Sequence, residues 1–520
     1  MVSRGGLQVA LPALLIVALL SLHSTSTEGA NILGVLPTWA KSHYVIGVEY
    51  LRLLAEIGHN VTVVTPFELA DAPENYHEIV MDGILDASQG LEKNYFKYKS
   101  GTFLKILSML YNDLSDTTCT FVLQHPKVVK LLNSRQQFDV VIVESFMTES
   151  IYGMAQHFNA PLIVFSTLGS NIWTNGLVGT PAPYSHVAHL MLGLTDRMLF
   201  WERMYNMLVG VGEQLYYDFR YLPKQKRYYE KAFPQPKLTF EQQMRNVSLI
   251  LLNQHFSLGS ARPYPPNMVE VGGIHIRKVK PLPSDLKRFI EEAHHGVIYF
   301  CMGSHIQSKH FPQEKRNAFI EVFAQLKQRV LWKYEDNAIL NTPSNVLIQA
   351  WMPQNDILAH PNVVIFISHG GLLGTMEALF HGKPIIGIPI FGDQMTNVEN
   401  AIRSGYGLKL DYDDLNKDRI REAIDIMLND RTYASKASQH SRWFHDKPMT
   451  ATENAVFWTE YVIRHRGAPQ LRSPAVALNF LQYHSLDILT VVVIFISVIL
   501  VLTVMLCNVC FRSKKKLKNN

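Results

Sequence analysis

The chain has 520 residues, which is more than one hydrophobic core usually serves, so two domains are expected. Its formal net charge is only +5, and the excess lies largely at the C-terminus, which argues against a nucleic-acid partner. The four cysteines, Cys119, Cys301, Cys507 and Cys510, lack the spacing of a zinc site or a disulfide framework.

The first residues have the pattern of a secretory signal. Arg4 precedes an apolar run at residues 11–20, and small and polar residues follow as far as Ala30. This order predicts a signal peptide over residues 1–29. An uncleaved anchor is the alternative, but the apolar run is short for a membrane span.

The next segment begins as a β-α-β unit. Strands are predicted at residues 31–36 and 61–65 around a helix that ends near Gly58, with further strands at 140–143 and 162–165. Residues 30–260 are therefore predicted to form an N-terminal domain. Proline and glycine cluster in residues 261–285, which predicts a linker.

Residues 286–465 alternate regularly between apolar strands and amphipathic helices. Strands are predicted at 297–301, 330–334, 346–350, 363–367 and 385–388, and helices near 313–328, 372–380 and 394–403. Such alternation is typical of a doubly wound parallel sheet. Neither domain has a GxGxxG motif after its first strand, which disfavours a nicotinamide-dependent oxidoreductase.

The C-terminal region is predicted to cross a membrane. After a juxtamembrane segment at 466–487, residues 488–507 carry no charge and would span roughly 30 Å as a helix. The basic tail at 508–520 should stay in the cytosol, which places the domains in the lumen. Lys516 and Lys518 form a Lys-x-Lys-x-x ending that resembles an endoplasmic reticulum retrieval signal; a plain stop-transfer cluster is the alternative.

Two glycosylation sequons occur, at Asn246 and Asn60. Asn246 follows a polar segment and is favoured, because Asn60 opens a strand that is predicted to be buried.

Residues 366–394 contain the most specific pattern. An apolar strand runs into Gly370 and Gly371, and a helix-like segment follows. The N-terminus of such a helix presents free N–H groups and can hold a phosphate. The spacing of His369, Glu377 and the Asp393-Gln394 pair resembles the signature of the UDP-glycosyltransferases, in particular the membrane-bound animal enzymes of the kind found in insects.

The resemblance implies an α/β protein of the GT-B fold. Two doubly wound Rossmann-like domains would face a cleft, and a C-terminal transmembrane helix would follow. The N-terminal domain would bind the acceptor and the C-terminal domain the UDP-sugar. No cofactor and no metal are implied, since the helix N-terminus would stabilise the departing UDP.

The same resemblance implies the donor-binding residues, which are Ser304, Trp351, Gln354, His369, Gly371, Gly374, Thr375, Glu377, Asp393 and Gln394. The indole would stack on uracil, the amide and carboxylate of Gln354 and Glu377 would bind the ribose, and the glycine turn would meet the pyrophosphate. Asp393 and Gln394 would bind the sugar, although Asp393 is also placed to cap a helix. Leu373 stands where many relatives have asparagine, and Arg262 is a candidate for an extra cation at the cleft.

The acceptor side depends on one histidine. His43 follows the first strand and resembles the catalytic base of the family. Glu144 ends a later strand and would orient the imidazole, although relatives usually have aspartate there. Asp139, earlier in that strand, is the rival for this role.

The expected function is inverting transfer of a hexosyl group, with glucose favoured, from a UDP-sugar to a hydroxyl of a small lipophilic aglycone. The family acts in detoxification, among other roles. The expected setting is the endoplasmic reticulum membrane, as a single-pass type I glycoprotein in contact with lipid; homo-oligomerisation is left open. A catalytically silent, membrane-tethered binder of lipophilic ligands is the first alternative, and the oxidoreductase is the second.

Overall fold

Two fully parallel β-sheets organise the protein. The computed structural model describes residues 29–87, 103–304, 306–336 and 342–518, so residues 1–28 of the expected signal peptide lie outside the described residues. The first sheet has seven strands in the order β3-β2-β1-β4-β5-β6-β7, and the second has six in the order β10-β9-β8-β11-β12-β13. The strands are β1 (Asn31–Val35), β2 (Asn60–Thr65), β3 (Tyr76–Val80), β4 (Val140–Glu144), β5 (Leu162–Ser166), β6 (Val247–Leu252), β7 (Met268–Glu270), β8 (Val297–Cys301), β9 (Arg329–Lys333), β10 (Val346–Gln349), β11 (Val363–Ser368), β12 (Ile385–Gly387) and β13 (Gly407–Lys409).

Helices cover both faces of each sheet, as parallel sheets require. The described α-helices are α1 (Lys41–Glu56), α2 (Phe103–Ser108), α3 (Ser115–Gln124), α4 (Pro126–Leu132), α5 (Gly153–His157), α6 (Ile172–Val178), α7 (Phe200–Tyr216), α8 (Leu222–Ala232), α9 (Phe240–Arg245), α10 (Ser284–Glu291), α11 (Gln313–Ala324), α12 (Gln354–Ala359), α13 (Leu372–Phe380), α14 (Gln394–Arg403), α15 (Lys417–Asn429), α16 (Arg431–His445), α17 (Ala451–Arg464), α18 (Phe480–Tyr483) and α19 (Leu486–Lys518). A π-helical turn, Tyr217–Tyr221, joins α7 to α8.

The strand order places one crevice in each domain. In the first sheet the order reverses at β1, whose neighbours are β2 and β4, and in the second at β8, whose neighbours are β9 and β11. Ligands of doubly wound sheets bind outside the carboxyl ends of the strands at such reversals. The segments after β1, β4, β8 and β11 are therefore the places where chemistry is expected.

The first sheet extends beyond the predicted domain boundary. The segment predicted as a linker, residues 261–285, contains β7, which pairs in parallel with Ile250, Leu251 and Leu252 of β6. The prolines that suggested a linker flank this strand on both sides. Proline interrupts a strand but does not prevent a short one between two such sites.

The end of the second domain returns to the first. Ala451, Ala455 and Val462 of α17 lie in the apolar core beneath the first sheet. The Tyr50 hydroxyl and Thr459 Oγ1 of α17 are 2.6 Å apart and buried. Residues 451–464 thus belong by packing to the first domain, although they were predicted as part of 286–465.

One helix in the part of the chain that the structure describes is long and apolar enough to cross a membrane. It covers Leu486–Ser513, a stretch of 18 residues within it has a mean hydropathy of 3.2, and it contains the predicted span at 488–507. The assignment is by length and composition. Cys119 and Cys301 are buried and unpaired, so they form no bridge.

The two sequons differ in exposure. Asn60 is exposed at the start of β2, and its side chain donates to Asn31 Oδ1 at 2.8 Å. Asn246 is half-buried, and its Oδ1 accepts a hydrogen bond from Arg472 at 2.5 Å. The structure therefore favours Asn60, the reverse of the order expected from sequence, and glycosylation at either site stays a prediction.

Candidate functional site

His43 and Glu144 meet at the carboxyl edge of the first sheet. His43 lies in the first turn of α1, which follows β1, and Glu144 is the last residue of β4, which pairs with β1. The two atoms His43 Nδ1 and Glu144 Oε1 are 2.7 Å apart. The Glu144 side chain is fully buried, whereas 13% of the imidazole surface is exposed. The contact was predicted, and glutamate reaches despite its extra methylene.

Two further residues fix the imidazole. Thr167, directly after β5, has its Oγ1 2.8 Å from His43 Nδ1. The Phe146 ring packs edge-on against the imidazole at 4.4 Å between centroids. Sequence reasoning missed both; the available signal was their position just beyond β4 and β5. With Nδ1 directed at the carboxylate, Nε2 is the nitrogen left to accept a proton.

Asp139 does not compete for this histidine. Its Oδ2 accepts a hydrogen bond from the Asn31 N–H at 2.8 Å, at the start of β1. That is the amino edge of the sheet, opposite to the edge that carries His43. The rival reading of Asp139 is therefore wrong.

The glycine turn of the second domain surrounds His369. Gly370 has a positive φ of 77°, and Gly303, after β8, has one of 91°. A Cβ on Gly303 or on Gly371 would overlap the His369 ring, so the imidazole lies directly between the two turns. Gly371 is the N-cap of α13 and offers no side-chain cap, so the first N–H groups of α13 can receive an anion. Ser304 is exposed beside this position.

Gln354 and Glu377 are joined although they lie in different helices. The Gln354 amide at the start of α12 donates to Glu377 Oε2 in α13. Burial raises the pKa of Glu377 to about 7, and the Gln354 hydrogen bond opposes this only in part. Gly374 lies against the same amide. Trp351, three residues before Gln354, is 69% exposed, so its indole is accessible to a ligand.

Asp393 lies at the beginning of α14 and faces the other domain. Its side chain makes no cap hydrogen bond; instead its Oδ2 accepts from Asn397 Nδ2 at 2.8 Å, and that amide also donates to Gly370 O at 3.0 Å. Burial raises the pKa of Asp393, and the hydrogen bond from Asn397 opposes this only in part. Asp393 lines one cavity together with Ser170 and Arg262 of the first domain, so it faces that domain. Asn397 was missed by sequence reasoning.

Two other expected contacts, Gln394 and Thr375, and the atypical Leu373 have different surroundings. Gln394 is buried, and its Oε1 accepts from the Ile390 and Phe391 N–H groups at 2.8 and 3.2 Å, so only its amide nitrogen remains for a ligand. Thr375 is buried one turn into α13. Leu373 packs against the apolar core of the first domain, which gives a physical reason for a leucine there.

Arg262 lines a cavity of about 100 Å³ between the domains, together with Asp393 and Asn397. Its Nη1 donates to the Ser170 carbonyl at 2.9 Å and to the Ser170 hydroxyl at 3.2 Å. The guanidinium is therefore at the cleft, as expected, but is tied to the first domain.

Comparison with known proteins agrees with this geometry. The family model described as "UDP-glucoronosyl and UDP-glucosyl transferase" matches residues 42–519. UDP-glycosyltransferase UGT5 of Dactylopius coccus is 38% identical over 91% of this chain and 90% of its own length. Human UDP-glucuronosyltransferase 2B15 is 31% identical over 91% of this chain and 92% of its own length.

Solved structures show the same fold at low identity. The glycotransferase of kitacinnamycin superposes with a TM-score of 0.58 at 18% identity, covering 84% of this chain and 99% of its own. CalG4, the calicheamicin glycosyltransferase, superposes with a TM-score of 0.58 at 16% identity, covering 85% of this chain and 100% of its own. The predicted GT-B architecture is confirmed. The chain belongs to the UDP-glucuronosyl and UDP-glucosyl transferase family and is a glycosyltransferase.

Proposed function

We propose that the protein transfers a hexosyl group from a UDP-sugar to a hydroxyl of a small lipophilic acceptor, with inversion, and that His43 is the general base. The observation that carries the proposal is the buried Glu144 carboxylate bound to His43 Nδ1 at the carboxyl edge of the first sheet. The acceptor oxygen attacks the anomeric carbon as His43 Nε2 takes its proton. The bond from that carbon to UDP breaks, and UDP leaves with the electron pair.

The donor would be held by the second domain. The exposed Trp351 indole is open for stacking on uracil, and the Gln354–Glu377 pair would bind the ribose hydroxyls. The N-terminus of α13, with His369 and Ser304 beside it, would receive the pyrophosphate. Asp393 and the Gln394 amide would bind the sugar hydroxyls.

Glucose is the donor sugar that the charges favour. Asp393 lies where the sugar is expected, and a glucuronate carboxylate would approach it at a cost. Arg262, the nearby cation in the cavity, already donates to Ser170. UDP-glucose and UDP-glucuronate should be compared on the purified protein with phenol and steroid acceptors, and the product anomer read by NMR. A β-glucoside supports the proposal; a retained α-linkage or exclusive use of glucuronate contradicts it.

The acceptor pocket would be aromatic. Phe146 contacts both His43 and Trp173 of α6, with ring centroids 4.4 and 5.6 Å apart. An apolar molecule with a hydroxyl fits such a wall, as the family resemblance implies. We also propose residence in the endoplasmic reticulum membrane with both domains in the lumen, from the basic residues at the C-terminal end of α19.

Donor binding should depend on pH through Glu377. Its pKa of about 7 means that the carboxyl group is protonated below that pH and becomes an acceptor-only carboxylate above it. UDP-glucose affinity should therefore rise between pH 6 and pH 8. Calorimetric titration without acceptor measures this; UDP-glucose is used because its phosphates do not titrate in this range. An affinity that is flat or falls with rising pH would contradict the assignment.

Catalysis should not need a divalent ion. The N–H groups of the α13 N-terminus would stabilise the charge that develops on UDP, the role that a metal has in other glycosyltransferases. Turnover should be the same with and without EDTA after dialysis. Loss of turnover in EDTA that added Mg²⁺ or Mn²⁺ restores would refute this part of the proposal.

A further inference from the structure

Helix α7 carries a long apolar stripe that faces solvent. Phe200, Met204, Leu208, Val211, Leu215 and Phe219 follow one another at intervals of three or four residues, which places them on one side of the helix and of the turn after it. All six are exposed, from 38% for Met204 to 73% for Phe219. We call these six residues the α7 face. Trp201 lies beside it and is 69% exposed.

The opposite side of α7 is firmly held. Asn206 Nδ2 donates to the Tyr184 and Val187 carbonyls at 2.9 Å each, and the buried Glu213 accepts from the Tyr111 hydroxyl at 2.7 Å. Glu213 is also the only charged residue between 204 and 217, and it points inward. Between Met204 and Leu215 the α7 face is therefore a fixed surface without an exposed charge, larger than isolated exposed apolar residues would explain, and charged residues lie only at its two ends (Glu202, Arg203, Asp218 and Arg220).

The membrane helix begins close to this face. The Tyr483 hydroxyl lies 3.5 Å from the carbonyl of Gly179, the residue that ends α6, and α19 starts three residues after Tyr483. Three residues span at most about 10 Å of chain. The end of α6 is thus held next to the bilayer that α19 would enter.

Helix α6 also supports α7. Trp173 Nε1 in α6 donates to the Tyr111 hydroxyl at 2.6 Å, and Tyr111 in turn donates to Glu213 of α7. Since α6 has seven residues, it is only about 10 Å long. The residue of α6 that supports α7 and the residue that contacts Tyr483 before α19 therefore lie at opposite ends of one short helix. Phe480 and Leu481, just before α19, are exposed and apolar as well.

We propose that the α7 face lies in the interfacial layer of the bilayer that α19 crosses, on the side of the two domains. A fixed helix with aromatic, leucine and methionine side chains on one side and hydrogen-bonded polar side chains on the other fits such a layer. The bilayer is favoured over a second copy of the chain because the short tether already holds this part of the protein at the membrane surface. The contact would lie on the acceptor domain and is independent of the transfer chemistry.

Quenching of tryptophan fluorescence by brominated lipid tests the contact on the full chain. The protein is reconstituted in phosphatidylcholine nanodiscs with or without dibrominated acyl chains. No tryptophan follows Trp458, so α19 itself contributes no signal. Trp201→Phe should remove most of the lipid-dependent quenching. The matched control is Trp443→Phe, an exposed residue of α16 in the second domain, which should leave quenching as in the wild type.

A charged substitution in the α7 face provides a second test of the bilayer contact. Leu208→Glu should reduce the quenching of Trp201, whereas Ile426→Glu, at another exposed apolar site, on α15, should not. Quenching that persists unchanged in Trp201→Phe would overturn the proposal. The proposal would also be overturned if the wild type showed no lipid-dependent quenching and crosslinked as a dimer, because a second copy of the chain would then cover Trp201.

Discussion

Replacing His43 by alanine should lower turnover by about 10²–10⁴, the usual contribution of a general base. Among the described residues, the imidazole is the only group bound to the buried Glu144 carboxylate at the acceptor edge. Its loss would remove the proposed proton acceptor. UDP affinity should be unchanged, because the expected donor contacts are in the other domain. Initial rates and calorimetric UDP titration measure the two effects separately.

The control for this variant is His77→Ala. His77 is an exposed histidine of β3 in the same domain, two strands away from β1. It should turn over as the wild type does. Turnover of His43→Ala close to that of the wild type, with normal UDP affinity, would exclude His43 as the base.

The second large effect is expected for Glu377→Ala. Hydrogen bonds to a charged group contribute about 1.5–3 kcal/mol each, so loss of the ribose contact should raise the KM for UDP-glucose roughly 10- to 150-fold. The effect on kcat should be smaller, since the ribose is remote from the reacting carbon. Steady-state kinetics at pH 8, where the carboxylate is ionised, gives the clearest comparison.

Unfolding should not explain that loss. Burial raises the pKa of Glu377 to about 7, above its ordinary value, so the folded state binds its proton more tightly than the unfolded chain does. The stabilisation is full at low pH and falls as the pH rises towards 7, which means that the ionised group does not stabilise the fold at pH 8. The midpoint of thermal unfolding of Glu377→Ala at pH 8 should therefore be no lower than that of the wild type. The control is Glu422→Ala, a substitution of an exposed residue of α15. An unchanged KM for UDP-glucose in Glu377→Ala would contradict the assignment of Glu377 to the ribose.

The sequence predicts the frame of this fold well because parallel strands are continuous apolar runs. The predicted strand at 297–301 coincides with β8, and the predicted helices at 372–380 and 394–403 coincide with α13 and α14. Long-range packing is less visible. The return of α17 to the first domain depends on a surface formed by Tyr50 and its neighbours, which no local pattern of residues 451–464 reveals.

The residues of the site likewise fall into those that the sequence predicts and those that only the three-dimensional structure identifies. The glycine turn and the spacing of His369, Glu377 and the Asp393-Gln394 pair can be read directly from the sequence. His43 and Glu144 are implied by the family resemblance, and the structure brings them into contact. Thr167 and Asn397 could not be found, because a single threonine or asparagine has many uses and only its three-dimensional neighbours define its role. Gln394 shows the converse. It lies at the start of α14, as the sequence predicts, but its side-chain carbonyl oxygen accepts hydrogen bonds from backbone N–H groups of the loop before α14.

A structure of the protein with UDP and a phenol acceptor tests the central claim most directly. We expect uracil against Trp351, the pyrophosphate at the start of α13, and the phenol oxygen within about 2.6–3.2 Å of His43 Nε2. UDP bound outside the second-domain crevice, or an acceptor oxygen that contacts a different base while His43 faces away, would contradict it.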